Sequence, residues 1–164
     1  MVKGMSPLEL IRWADGSTQL PQFIMDHEIS QGRGASTSII VTQPRRVAAM
    51  GVASRVAQER MEDLDVTSGT VGYAIRGERR SGPDTRLLFC TTGVVLRRLG
   101  SDSDLDGVSH VVVDEAHERG VDTDLLICLL RELLERNKNI KVSLHYRDQV
   151  RELMTGHSDV CYYQ

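Results

Sequence analysis

The chain has 164 residues, the size of one domain, with 40% hydrophobic and 26% charged residues, so it carries enough apolar material for a globular core. Aromatic residues make up only 4%, and the core must therefore be built from Leu, Val, Ile and Met. A net charge of -3 excludes a generally basic nucleic-acid coat. It confines any such contact to a local patch, for which Arg45, Arg46, Arg76, Arg79, Arg80, Arg97 and Arg98 are the candidates.

The first fifteen residues hold no β-branched run, and only Leu8 to Trp13 reads as a short helix. Ser38 to Thr42 is a β-branched run of the kind buried on both faces of a parallel sheet. After Pro44, Arg45 to Met61 has helical periodicity through Val47, Met50, Val52, Val56 and Ala57. Val71 to Ile75 and Arg86 to Cys90 are further strand candidates, with a turn signal at Ser81-Gly82-Pro83-Asp84. Val108 to Val113 is the clearest strand, Leu125 to Leu134 repeats leucines at helical spacing, and Ile140 to Leu144 predicts a last strand. Strands separated by helices imply βαβ units and a mostly parallel α/β sheet covered on both faces.

Cys90, Cys128 and Cys161 are odd in number and form no C-x-x-C pair, which points to a reducing compartment rather than a disulfide framework or zinc site. No apolar stretch reaches the roughly 18 residues that span a bilayer, and the N-terminus has no signal-peptide core. The expectation is an intracellular protein, cytoplasmic or nuclear, with no membrane partner.

The chemistry concentrates behind the apolar run Val111-Val112-Val113, where the chain reads Asp114-Glu115-Ala116-His117-Glu118-Arg119-Gly120. Ligands of open parallel sheets bind at the carboxyl ends of strands, and two adjacent carboxylates there can divide labour. One holds Mg2+, a hard ion that prefers oxygen ligands, and the other orients or deprotonates a water attacking a phosphate. A lone Asp-Glu after a strand can equally cap the next helix or face solvent.

The whole string, with three other segments in order, resembles the first RecA-like domain of the DEAH-box RNA helicases. Those segments are Thr42-Gln43-Pro44-Arg45-Arg46-Val47-Ala48-Ala49, Val71-Gly72-Tyr73-Ala74-Ile75-Arg76 and Thr91-Thr92-Gly93-Val94-Val95-Leu96-Arg97, and the resemblance covers about residues 17 to 144. It implies an ATP-dependent RNA helicase fold and activity, with ATP and Mg2+ as cofactors. Asp114 would hold Mg2+, Glu115 would be the catalytic base, and His117 would couple the γ-phosphate to a second RecA-like domain. Arg55 would stack on the adenine, with a solvated helix-face charge as its alternative. Pro44, Arg45, Arg46, Thr91, Thr92 and Gly93 would contact the RNA backbone, which positions a strand without reading sequence. Arg76, Arg79 and Arg80 read rather as solvated charge.

The chain departs from the family at its phosphate loop, which normally reads G-E-T-G-S-G-K-[ST]-T-Q-x-P-Q-F. Here Gly16-Ser17-Thr18-Gln19-Leu20-Pro21-Gln22-Phe23 keeps the tail of that string. Ser17 falls on the magnesium-binding hydroxyl, Thr18 follows it, and Gly16 stands at the lysine. Asp15 adds a negative charge where phosphate should sit. The resemblance therefore implies a partial helicase domain over residues 16–145, between divergent segments 1–15 and 146–164. The phosphate-loop strand is expected to be missing, leaving a gap or exposed edge beside the strand of Asp114. Ser143-Leu144-His145-Tyr146-Arg147 replaces the Ser-Ala-Thr motif. Two functional readings follow: a truncated first motor domain of a helicase, or a catalytically inactive RNA- or protein-binding remnant. A phosphatase-like or response-regulator-like magnesium domain leaves the three other segments unexplained.

Overall fold

The computed structural model describes residues 16–64, 69–146, 149–153 and 161–162, the last two stretches by their backbone alone. The expected helix at Leu8 to Trp13 lies outside them. In chain order the elements are α1 (Gln19–Ser30), β1 (Ile39–Gln43), α2 (Arg46–Glu59), β2 (Val71–Ile75), β3 (Glu78–Arg80), β4 (Leu87–Thr91), α3 (Thr92–Ser101), β5 (His110–Val113), α4 (Val121–Arg136), β6 (Lys141–Tyr146), β7 (Gln149–Leu153) and β8 (Cys161–Tyr162). They form an α/β fold, consistent with a RecA-like domain, around an eight-stranded sheet ordered β3-β2-β4-β1-β5-β6-β7-β8. From β2 to β6 each neighbouring pair is parallel, and β3, β7 and β8 add antiparallel strands at the two edges.

Strand alternation divides the core into two layers. Ile40, Ala74, Cys90, Val111, Val113, Val142 and Leu144 point to one face, where Val95 of α3 and Leu126, Leu130, Leu133 and Leu134 of α4 cover them. The leucines of α4 fall at i, i+4, i+7 and i+8, so one stripe of the helix is apolar. Ile39, Val41, Val71, Tyr73, Leu87, Phe89 and Val112 point to the other face, against Leu20 and Met25 of α1 and Ala49, Ala53, Val56 and Ala57 of α2. The small alanines let α2 approach the sheet closely. Val47, expected on the buried stripe, is instead 81% exposed at the start of α2.

No strand precedes α1 among the described residues. The expected gap beside the strand of Asp114 is not found: β5 is paired by β1 on one side and β6 on the other. The reason is geometric. Ile39 to Thr42 and Lys141 to Leu144 are both in register with His110 to Val113, so the sheet closes without a further strand between them. The C-terminal stretch, read as a polar tail, continues the sheet through β7, which pairs Val142 to Tyr146.

Candidate functional site

Because β2, β4, β1, β5 and β6 run parallel, their carboxyl ends share one edge of the sheet, where the chain turns away and leaves polar groups exposed to a ligand. Asp114 follows β5 and is 2% exposed. The register that sets Thr42 against Val113 brings Gln43 alongside, and its side-chain amide donates to Asp114 Oδ2. The register that sets Leu144 against Val113 brings His145, whose Nδ1 lies 2.5 Å from Asp114 Oδ1. The Glu115 N–H donates to the same oxygen at 2.8 Å. Burial alone would raise the Asp114 carboxyl, but hydrogen bonds from His145, Ser17 and the Glu115 N–H outweigh it and hold the group below the usual carboxylate range. Asp114 is thus held as an ionised acceptor toward these neighbours.

The other side of the His145 ring lies against Gly16. A Cβ at position 16 would stand 2.2 Å from His145 Nε2 and 2.6 Å from Cδ2 and Cε1. The ring and any side chain at position 16 therefore exclude each other. An ionised carboxylate has about four acceptor positions; here they receive Gln43, His145, Ser17 and the Glu115 N–H. The residues as arranged do not fit a Mg2+ ion, which needs free oxygen lone pairs in near-octahedral array. Among the described residues no group of three His, Cys, Asp or Glu side chains could hold a metal.

Glu115 and Arg119 both adopt left-handed backbone, at φ 53° and 52°, on either side of a single 3-10 turn, Ala116–Glu118. Each such non-glycine residue costs roughly 1–2 kcal/mol, held in place by burial of Ala116 and by the ion pairs Arg45–Glu118 and Arg119–Asp124, both 3.1 Å. The turn sets His117 Nε2 3.2 Å from Glu115 Oε2. Thr18, beside Ser17, is buried at 2%. Arg55 sits on α2 with Nε 3.0 Å from Glu59, which also accepts from Gln22 at 2.8 Å and Gln19 at 2.9 Å. Hydrogen bonding, from Gln22 first, lowers the Glu59 carboxyl. This carboxylate ties Arg55 to the first turn of α1, two residues after Ser17.

A concavity of about 600 Å³ opens over the ends of β1, β2 and β4 and the first turns of α3 and α4. It brings together Pro44, Arg46, Thr91, Thr92 and Gly93, with Arg76 and Arg97. The first turn of α3 carries no acidic residue, so its free N–H groups favour an anion. Asp122 of α4 also lines the wall and opposes one. Arg45 is not part of this lining and pairs with Glu118. Arg76 and Arg97, two of the candidates for a basic patch, thus lie in the groove, whereas Gln43 and His145 were not identified from the sequence as partners of Asp114. His145 stands just past the strand expected at Ile140 to Leu144, and the strand in fact runs on through it to Tyr146.

No protein-family model matches the chain. A Mycosarcoma maydis protein named as a DEAH-box ATP-dependent helicase is 63% identical over 136 residues, 78% of this chain and 9% of its own length. The Arabidopsis thaliana DExH-box ATP-dependent RNA helicase DExH3 is 55% identical over 128 residues, 78% of this chain and 10% of its length. The Gallus gallus ATP-dependent RNA helicase DHX30 is 46% identical over 131 residues, again 78% of this chain and 10% of its length. The chain spans about a tenth of the length of these relatives.

Proposed function

This chain belongs, over the segment it shares with those relatives, to the DEAH/DExH-box helicase family, and from that premise we propose that it is part of a first RecA-like motor domain whose own work is to hold an RNA backbone. The observation that carries this reading is the groove, where Arg46, Arg76 and Arg97 and the start of α3 surround a cavity of about 600 Å³. Guanidinium groups and helix N-termini are suited to phosphate oxygens, and charge-assisted hydrogen bonds contribute on the order of 1.5–3 kcal/mol each. Nothing in the lining demands a particular base.

ATP hydrolysis coupled to RNA remodelling is proposed for the whole protein, with Glu115 and His117 in the roles the family gives them and Asp114 in its magnesium role only once His145 is displaced from it. For this chain by itself a second reading, an inactive RNA-binding remnant, is favoured by a specific observation: Gly16 supplies no ammonium and His145 occupies Asp114. Fluorescence anisotropy with single-stranded RNA tests the groove. Binding at low salt is expected, weakening with a log–log salt slope of about 0.7 per phosphate contact; no binding at low salt rejects it. RNA-stimulated ATP turnover is expected to be negligible. Turnover that is measurable, and abolished by Glu115→Gln, would reject the inactive reading.

A further inference from the structure

We propose that Gly16 and His145 form a matched pair in which the His145 imidazole plugs the cation side of Asp114, so that this chain satisfies the carboxylate with its own side chains and excludes a divalent ion. The inference rests on reading Asp114 as a magnesium carboxylate, as above.

The first support is the completeness of the shell around Asp114. The group is 2% exposed and accepts from Gln43, His145, Ser17 and the Glu115 N–H. A buried carboxylate with no partners would be strongly disfavoured, and here protein donors meet that need. The second support is that the ring is held at Asp114 and fills the space a side chain at position 16 would take. Nδ1 is 2.5 Å from Asp114 Oδ1, and Nε2 is 2.2 Å from where a Cβ on residue 16 would stand. A lysine at position 16 would drive the imidazole off Asp114. Conversely, removing the imidazole while keeping Gly16 would leave a void and open Asp114. The third support is placement. Val142 and Leu144 of β6 turn to the α3/α4 layer, so alternation sends the buried Ser143 and His145 to the α1 side, where the turn of Ser17 leads into α1. One device thus accounts for two departures from the family pattern that lie far apart in sequence.

The test is a Mn2+ titration of the full 164-residue chain, followed by electron paramagnetic resonance of the free ion. The wild-type chain is expected to leave Mn2+ free, while His145→Ala binds at least about tenfold tighter, a gain of about 1.4 kcal/mol; adding Asp114→Asn should abolish the gain. Wild-type binding as tight as that of His145→Ala overturns the plug. A thermal double-mutant cycle checks the pairing independently of metal. Gly16→Ala should lower Tm by about 3 °C or more in the wild-type background and by much less in His145→Ala; additive shifts overturn the pairing. Should His145→Ala fail to fold, Gly16→Ala carries the same Mn2+ measurement, because its methyl group displaces the ring. A non-additive cycle with no Mn2+ gain overturns the exclusion of the ion and the magnesium reading of Asp114 together. RNA affinity of the wild-type chain is read separately, so failure of the groove is told apart from failure of the plug.

Discussion

The groove over β1, β2 and β4 and the carboxylate after β5 stand on the same edge of one parallel sheet, yet their polar groups are satisfied in opposite ways. Arg46, Arg76 and Arg97 are exposed and have no hydrogen-bond or ion-pair partner among the described residues. Asp114 is buried and every direction of its carboxylate is met from within. Solvated charge needs no internal partner, so it stays available to an external polyanion. Buried charge must be paired in the fold itself, and such pairing competes with any ligand. One half is therefore open and the other closed, and the closure rests on Gly16 and His145, where the chain departs from the family pattern.

Reversing the open half should give the largest effect. Arg46→Glu with Arg97→Glu is expected to lower affinity for single-stranded RNA by roughly a hundredfold at low salt, with a shallower salt slope, while leaving Tm nearly unchanged as surface substitutions do. Less than about a threefold loss by anisotropy would mean that the two regions do not differ in the proposed way. Breaking the closed half comes next. Asp114→Ala leaves His145 and Gln43 buried without their acceptor and should cost about 2–3 kcal/mol in urea unfolding. A loss below about 0.5 kcal/mol would show that the shell around Asp114 is not holding the fold. Arg76→Ala, removing one groove charge, should weaken RNA binding about three- to tenfold with no change in unfolding.

The smallest expected effect is on acid stability, and it belongs to buried groups. Glu28, 5% exposed, is lowered from 4.5 to about 2, chiefly by its hydrogen bond with Arg33 at 2.6 Å and then by Lys141. Its contribution is full above pH 4.5 and disappears as pH falls toward about 2. Asp114, also held low, loses its contribution in the same direction. His110 is lowered from 6.5 to about 4, first by burial, so the unfolded chain binds its proton earlier and stability falls between those values. Urea midpoints measured from pH 7 to pH 3 should fall in two stages, and His110→Gln should flatten the first. A first stage unchanged by that substitution would assign it elsewhere.

Much of the fold was legible because its signals are local. The runs that became β1, β2, β4, β5 and β6 were each read within about two residues of their bounds, since doubly buried parallel strands are continuous apolar stretches. Two helices were not read. α1 begins with Gln19, carries Pro21 in its first turn and buries the polar Gln22 and Glu28, so its apolar stripe is broken. α3 opens with Thr92, Gly93 and two valines, residues with weak helix propensity. In the site, the residues carried by a motif are the ones that the resemblance to the DEAH-box family names. The contacts of His145 with Asp114 and Gly16 were not legible, because they arise from sheet register across β5 and β6, and no local pattern records register. The expected gap failed for the same reason: which strands flank β5 is a fact of topology.

The three-residue strand β3 has a consequence for how copies of this chain meet one another. It borders the sheet with Glu78, Arg79 and Arg80, all exposed, while Tyr73 on its neighbour donates to Glu78. A short, fully charged rim offers an incoming strand neither apolar surface nor a length to pair with. The arginines there act as gatekeepers against edge-to-edge stacking, and colloidal behaviour, rather than recognition, is where exchanging them for valines would be felt.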